Sequence, residues 1–262
     1  MRAGNLIALL LAMLIAMSGG APTYAQQAPT VAAAADLRVA LTEVAAAFKR
    51  DTGQEVNLVF GSSGNFYRQL QQGAPFQMFL SADEQYALDL AKAGKAENDG
   101  VLYAIGRIVI VAPKGSPLLV DNNLAGLRHA LAQGQITRFA IANPEHAPYG
   151  QRAEEALRRA RLWRTIQPRL VLGENVAQAL QFATAGGAQG GIVAYSLVLD
   201  PALSGKVRYA LIPADWHQPL RQRMVLMKGA GKVTRRFYNY VQQPAARKIL
   251  ARYGFTLPGG SR

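Results

Sequence analysis

Residues 56–70 read VNLVFGSSGNFYRQL, in which a turn of glycine and serine joins an apolar run to an amphipathic run. The apolar run, 56–60, is typical of a strand, and the run that starts at Phe66 is typical of a helix. A strand that opens directly into a helix leaves backbone N–H groups without intrahelical partners, and the helix dipole adds partial positive charge there. The turn at 61–65 is therefore predicted to bind an anion.

The same strand–turn–helix unit recurs on both sides of this turn. Asp83 is a plausible N-cap, and Lys49-Arg50 before Gly53 is typical of a helix end. Alternating strands and helices predict parallel sheets covered by helices, which is the α/β fold class. The predicted strands are 31–35, 55–60, 77–81, 106–112, 137–142, 169–172, 190–195, 207–212 and 223–227. The predicted helices are 37–50, 63–72, 83–94, 124–133, 149–163, 175–186, 231–242 and 244–253.

Two β-α clusters joined by long strands indicate two lobes and a hinge of two strands. We predict lobe I at 26–108 and 216–262, and lobe II at 109–215. In open α/β sheets, ligands bind at the carboxyl ends of strands, where the Gly/Ser turns lie. Hinge closure would then trap a ligand between the lobes.

Residues 1–25 have the pattern of a secretory signal peptide. Met1-Arg2 is basic, Leu6 to Met17 is apolar but too short to span a bilayer comfortably, and Thr23-Tyr24-Ala25 is an acceptable cleavage site. We therefore expect cleavage near Ala25 and a periplasmic protein. No other segment is long and apolar enough to cross a membrane, so no membrane insertion is expected. The chain has no cysteine, so packing without disulfides must stabilise it.

The net charge of +13 does not by itself indicate nucleic acid as a partner. Four arginines lie on the predicted helix 149–163 and Arg164 follows directly, and Glu154 and Glu155 on the same helix can pair with Arg158 and Arg159 at i+4. This pattern favours a solvated helix face, and export argues against a nucleic-acid partner.

Four strand-to-helix junctions could form one site. Small residues allow close approach of the backbone, and helix starts and serine hydroxyls donate hydrogen bonds without a full charge. Two junctions from each lobe could surround a compact oxyanion, although ordinary caps and turns would produce the same pattern. The junctions are 33–36 (AAAD), 61–64 (GSSG), 143–150 (NPEHAPYG) and 173–176 (GENV), with 191–195 (GIVAY) beside the last.

Over nearly all of its length after residue 25, the chain resembles the periplasmic molybdate-binding proteins of ABC importers. The residues that carry the resemblance are 33–35 (AAA), 60–63 (FGSS), 73–76 (GAPF), 80–83 (LSAD), 143–148 (NPEHAP), 191–193 (GIV) and 253–256 (YGFT). The resemblance implies a type II periplasmic-binding-protein fold and a monomer. It also implies capture of molybdate or tungstate and delivery to an ABC permease with a cytoplasmic ATPase.

The resemblance also implies which residues bind the ligand. Ser63 matches a serine that donates to the oxyanion, and Val176 matches a backbone N–H donor at a helix start. Tyr149 falls where better-known members have a small residue that donates its backbone N–H. Asp36 falls where those members have an anion-binding serine. Ala194 falls where they have a ligand-binding tyrosine, and the adjacent Tyr195 could replace it. Ala35 and Ser62, beside these positions, are weaker candidates.

Asp36 is the main departure from the family, because an ionised carboxylate beside a dianion would cost several kcal/mol. In one interpretation its carboxylate caps its own helix while its backbone N–H faces the ligand. Alternatively, Asp36 is protonated or shares a proton with the ligand, or the ligand is another oxyanion. His146 is either a switchable donor near the site or a hydrogen-bonding residue between the lobes.

Other functions remain open at this point. An exported enzyme is disfavoured, because Asn65 stands where the hydrolase pattern Gly-x-Ser-x-Gly needs its second glycine. No His/Asp/Glu cluster has metal-ligand spacing, so molybdenum would be held only as its oxyanion, and no cofactor is expected. The sensing domain of a regulator would share this fold. A different cargo, such as sulfate, chromate, phosphate or an organic acid, is the strongest alternative.

Overall fold

The computed structural model describes residues 27–259. The predicted signal peptide, 1–25, lies outside the described residues. Among the residues that are described, no helix combines the length and the apolar character needed to cross a bilayer.

The first part of the chain forms four strands and three helices of one lobe. Helix α1 ends where its sequence predicts, since Gly53 has a φ of 68° and donates its N–H to the carbonyl of Lys49. Asp83 is the predicted N-cap and accepts the N–H of Gln85 at 2.9 Å. The elements are β1 (Thr30–Ala34), α1 (Arg38–Thr52, preceded by a 3₁₀ turn at Ala35–Leu37), β2 (Asn57–Gly61), α2 (Ser63–Gln71), β3 (Met78–Ser81), α3 (Glu84–Lys92) and β4 (Val101–Gly106).

The middle of the chain forms the second lobe, and the end of the chain returns to the first. The second lobe contains β5 (Ile108–Pro113), α4 (Ala125–Ala132), β6 (Phe139–Ala142), α5 (Pro148–Arg159), α6 (Trp163–Ile166), β7 (Leu170–Gly173), α7 (Val176–Thr184), β8 (Gly191–Ala194), α8 (Tyr195–Val198) and β9 (Val207–Leu211). The returning segment contains β10 (Leu220–Leu226), α9 (Lys232–Val241) and α10 (Pro244–Arg252).

Each lobe has a five-stranded sheet, and the two sheets have equivalent strand orders, β2-β1-β3-β10-β4 and β7-β6-β8-β5-β9. In the first sheet, β1 is parallel to β2 and β3, and β10 is antiparallel to β3 and β4. In the second, β6 is parallel to β7 and β8, and β5 is antiparallel to β8 and β9. This topology confirms the predicted α/β fold class with two lobes.

The chain passes between the two sheets twice. The first passage is at Arg107, between β4 and β5, and the second is at 212–219, between β9 and β10. These passages adjoin the lobe boundaries proposed at 108/109 and 215/216. The predicted single strand 106–112 is wrong in one respect, because Gly106 ends a strand of one sheet and Ile108 begins a strand of the other. Strand β4 was not predicted, and β10 begins three residues before its predicted start at 223.

Apolar side chains fill the space between each sheet and its helices. In the first lobe, the Phe48 ring of α1 meets the Phe237 ring of α9 edge to face, with centroids 5.2 Å apart. In the second lobe, Ile108 and Ile110 of β5 and Phe139 of β6 are fully buried. All four residues of β6 are buried, as expected for a strand that is parallel to both of its neighbours and covered by helices.

The arginines of α5 agree largely with the predicted solvated face. Arg158 and Arg159 are exposed, and Arg158 forms the predicted i,i+4 pair with Glu154. Glu155 pairs with Arg152 instead of Arg159. Arg152 is mostly buried and also reaches Asp83 of the first lobe at 3.4 Å, so it contributes to the contact between the lobes.

Candidate functional site

A small cavity lies between the lobes, at the carboxyl ends of the strands. Its volume is about 190 Å³. Most of its lining residues are buried, so a ligand enters only when the walls move apart. The first lobe contributes Ala34, Ala35, Asp36, Gly61, Ser62, Ser63 and Ala82, and the second contributes Ala147, Pro148, Tyr149, Asn175 and Val176.

Helix N-termini from both lobes meet at this cavity. Ser63 is the first residue of α2, Val176 is the first of α7, and Tyr149 is the second of α5. Their N–H groups have no intrahelical acceptor, and within residues 27–259 they donate to no other protein atom. Asn175 caps α7 by accepting the N–H groups of Ala177 and Gln178, which leaves that of Val176 for the cavity.

The Ser63 side chain is held so that it can donate into the cavity. Ser63 is 1% exposed, and its Oγ accepts the N–H of Ala82 at 2.9 Å. Because that bond uses a lone pair of the oxygen, the hydroxyl hydrogen stays available to a ligand. Ser63 thus offers both a backbone and a side-chain donor at one helix start.

Asp36 belongs to a buried polar network that links the lobes. Its Oδ2 accepts the hydroxyl of Tyr149 at 2.9 Å and the amide Nε2 of Gln222 at 2.6 Å. The hydroxyl of Tyr103 donates to Gln222 Oε1 at 2.8 Å, and Ser196 donates to the backbone carbonyl of Asp36 at 2.7 Å. Tyr149 and Ser196 are in the second lobe, so this network spans the interlobe contact.

The second carboxyl oxygen of Asp36 differs from the first. Asp36 is 1% exposed, and its Oδ1 is buried without a hydrogen-bond partner among the described residues. Asp36 Oδ2 is turned to Tyr149 and Gln222, and the N–H groups of Asp36 and Leu37 also lie near the carboxyl group. The interpretation of Asp36 as a cap of its own helix therefore stays a prediction.

Burial raises the pKa of the Asp36 carboxyl group from 3.8 to about 6. Desolvation is the largest cause, because the ionised form loses its hydration. Hydrogen bonds from Gln222 and Tyr149 oppose the rise, as do the nearby N–H groups of Asp36 and Leu37. Burial also keeps the pKa of Tyr149 and of Tyr103 well above 10, so both phenols stay protonated and act as donors.

Tyr149 reaches Asp36 only because position 106 is a glycine. A Cβ at Gly106 would lie 2.2 Å from the Tyr149 hydroxyl oxygen and 2.8 Å from Gln222 Nε2. Real Cβ atoms do not approach other atoms so closely, so a larger residue at 106 would displace the phenol. Gly106 is the last residue of β4, next to the first passage between the lobes.

A second group of contacts joins the lobes at the other side of the cavity. Ser62 caps α2 through the N–H of Asn65, and its Oγ lies 2.9 Å from His146 Nδ1. The N–H of Gly64 donates to the His146 carbonyl at 3.0 Å, and the Asn65 side chain bonds to Glu174. His146 is therefore the interlobe hydrogen-bonding residue of the two predicted alternatives, and it does not line the cavity.

Two predicted site residues lie away from the cavity. Ala194 is fully buried and pairs with Ile108 in the second sheet. Tyr195 starts α8 and donates its N–H to the Arg107 carbonyl at 2.9 Å, and its ring lies 5.8 Å from that of Tyr209. The expectation that Tyr195 contacts the ligand is not supported by this geometry, because the turn into α8 directs the next residue, Ser196, at Asp36 instead.

Three residues of the Asp36 network were not identified from the sequence: Gln222, Tyr103 and Ser196. A signal for Gln222 exists in the alternation of β10, where Leu220, Gln222 and Met224 are buried between exposed or partly exposed arginines. A polar residue on the buried face of a strand needs a partner. No comparable local signal marks Tyr103, whose strand was not predicted, or Ser196.

Comparison with known proteins yields consistent matches. Residues 29–256 match the family described as bacterial extracellular solute-binding protein. The molybdate-binding protein ModA of Rhodobacter capsulatus is 35% identical over 227 residues, 86% of each chain. ModA of Azotobacter vinelandii is 34% identical and covers 94% of this chain and 97% of its own. The solved structure of the A. vinelandii periplasmic molybdate-binding protein superposes with a TM-score of 0.80 at 30% identity, over 88% of this chain and 99% of that one.

Proposed function

We propose that this chain binds one molybdate or tungstate anion in the cavity between its lobes, in the periplasm. The chain belongs to the bacterial extracellular solute-binding proteins and is homologous along most of its length to the molybdate-binding proteins. It then delivers the anion to an ABC permease driven by a cytoplasmic ATPase. It is a transport binding protein and not an enzyme.

One observation carries this proposal: uncharged donors from both lobes converge on a cavity that no cation lines. Ser63, Tyr149 and Val176 supply free N–H groups, and Ser63 adds its hydroxyl. No lysine or arginine is among the residues that line the cavity in the described part of the chain. Fixed N–H dipoles can satisfy the oxygens of an oxyanion and disperse its charge without a buried cation.

We call the N–H groups of Ser63, Tyr149 and Val176 and the Ser63 hydroxyl the donor cage. Selection among tetrahedral dianions follows from the size of this cage. A larger anion fills donor positions on both lobes that a smaller one cannot reach together. Because the cavity between the closed lobes is small, binding of any such anion requires the hinge to open and close again. The lobe contacts at Gly64 and His146 then form around the bound ligand.

Isothermal titration calorimetry with the chain that remains after cleavage near Ala25 tests this function. We expect one molybdate or tungstate per chain, with weaker heats for sulfate, phosphate and chromate, and a rise in melting temperature by mass action. Absence of heat with both molybdate and tungstate would refute the proposed cargo. Binding of sulfate with higher affinity than either would assign the same cage to a smaller anion.

Hydrogen phosphate is a second candidate cargo, and Asp36 Oδ1 is the observation that favours it. A protonated ligand oxygen could donate to this buried, unpartnered acceptor. In that case phosphate binds more tightly than molybdate in the same titrations. Its affinity also falls when Asp36 is replaced by asparagine, because the amide presents hydrogens to the ligand hydroxyl.

A further inference from the structure

Asp36, which lines the cavity, has one polar atom that the hydrogen-bond donors described above do not explain, Oδ1. Asp36 lines the cavity, is 1% exposed, and is held by two hydrogen bonds that both end on Oδ2. Its other oxygen is buried and has no partner among the described residues. A buried acceptor without a donor is unfavourable, so this atom requires a proton or a ligand.

The oxygens of a bound dianion cannot supply that proton, because molybdate carries none. An ionised Oδ1 and an anionic oxygen in the same small, water-poor cavity repel each other. A proton placed on Oδ1 removes the repulsion and converts the acceptor into a donor. The hydrogen bonds from Tyr149 and Gln222 remain possible, since Oδ2 then acts as the carbonyl oxygen of the acid.

We propose that Asp36 binds the oxyanion in its protonated form, donating a hydrogen bond from Oδ1, so that each binding event at neutral pH takes up one proton from solution. The proposal rests on the function proposed above and adds a proton to it. The raised pKa of Asp36, about 6 in the ligand-free protein, agrees with it. A neighbouring dianion raises that pKa further, which widens the pH range over which the proton is taken up.

The other groups that face Asp36 do not take up this proton. Tyr149 from α5 and Tyr103 from β4 keep their protons because burial raises their pKa well above 10. Gln222 from β10 and Ser196 from α8 do not titrate, and neither does Ser63 from α2. His146 also lies beside the cavity, with its Nδ1 2.9 Å from Ser62 Oγ and its Nε2 3.5 Å from Glu174. A His146 variant therefore serves as a control that shows whether the proton binds at His146 or at Asp36.

The test measures proton uptake during binding of molybdate. Titrations at about pH 7.5 in buffers with different ionisation enthalpies give the number of protons bound per anion. We expect close to one proton, and a dissociation constant that rises up to tenfold per pH unit between about pH 6.5 and 8.5. Molybdate binding with no proton uptake and no pH dependence would overturn the proposal while leaving the proposed function intact.

Two variants assign the proton to a residue. Asp36→Asn keeps the shape, accepts from Tyr149 and Gln222 through its oxygen, and presents N–H to the cavity as the protonated acid would. We expect it to bind molybdate without proton uptake, and more tightly than the native protein at about pH 8.5. His146→Asn should retain the uptake. A folded Asp36→Asn protein that does not bind, or loss of uptake in His146→Asn alone, would contradict the assignment. If Asp36→Asn does not fold, the other two proteins test the proposal. Proton uptake by the native protein that is retained in His146→Asn supports it, and absence of uptake by the native protein overturns it.

Discussion

Replacement of Ser63 by alanine tests the donor cage at its best-defined side chain. The hydroxyl of Ser63 accepts the Ala82 N–H at 2.9 Å and has a hydrogen left for the anion. The substitution removes both functions and little volume. It is therefore expected to affect two separate measurements, anion affinity and stability of the ligand-free protein.

The size of each effect follows from the bond that is lost. A donor to a charged acceptor contributes about 1–3 kcal/mol, so the dissociation constant for molybdate should rise roughly 5- to 150-fold. The Ala82 N–H is left buried without its acceptor, since Ala82 is 1% exposed. This lowers the free energy of unfolding by about 1–3 kcal/mol, and each kcal/mol corresponds to about 2–4 °C in melting temperature at this chain length.

Calorimetry with molybdate and thermal unfolding without ligand measure the two effects separately. Ser204→Ala is the matched control, because Ser204 is exposed and its side chain makes no hydrogen bond within the described residues. We expect it to change neither quantity. If Ser63→Ala lowers the melting temperature but leaves the affinity unchanged, Ser63 only supports the turn, and the cavity beside it is not the anion site.

The remaining predictions concern Asp36 and the two glycines of close approach. Because the folded pKa of Asp36 is about 6 and its ordinary value is 3.8, the stability associated with its protonated form is present below pH 3.8 and lost as the pH rises through 6. The loss is up to about 3 kcal/mol, and unfolding curves should show Asp36→Asn gaining stability over the ligand-free native protein as pH rises from about 4 to 7. Gly64→Ala places a Cβ 2.5 Å from the His146 carbonyl oxygen of the other lobe. We therefore expect weaker molybdate binding and a more open shape in X-ray scattering. Unchanged affinity would show that this contact is not needed for closure. Gly106→Ala should lower the melting temperature by displacing the Tyr149 hydroxyl, and the additional change Tyr149→Phe should recover part of the loss, whereas full additivity would argue against the clash.

Local signals explain why most elements could be predicted from the sequence. Gly53 after two basic residues, Asp83 before a helix and the Gly-Ser turn at 61–64 act within a few residues of their own position. Their effects on caps and turns do not depend on the rest of the fold. The resulting alternation of strands and helices was sufficient for the α/β class and for the placement of Ser63, Tyr149 and Val176 at helix starts.

The parts that could not be predicted depend on contacts between distant segments. Residues 101–113 contain two strands of different sheets with only Arg107 between them, and Gly106, which was predicted to start a strand, instead ends one. The partners of Asp36 lie 113 and 186 positions away in the sequence. Tyr195 was expected at the ligand because it adjoins Ala194, but α8 begins at Tyr195 and Ser196 occupies the position next to Asp36.

The residues that distinguish this cavity are interdependent. The phenol of Tyr149 fits over β4 only because residue 106 has no Cβ, and once there it needs an acceptor, which Asp36 provides. Gln222 supplies the second donor to the same oxygen, and Tyr103 satisfies the remaining end of its amide. A buried network of this kind is favourable only when all its members are satisfied. The carboxyl group is thus fixed through Oδ2, and if Asp36 takes up a proton with the ligand as proposed, the protonation of Oδ1 decides which anions the cavity accepts.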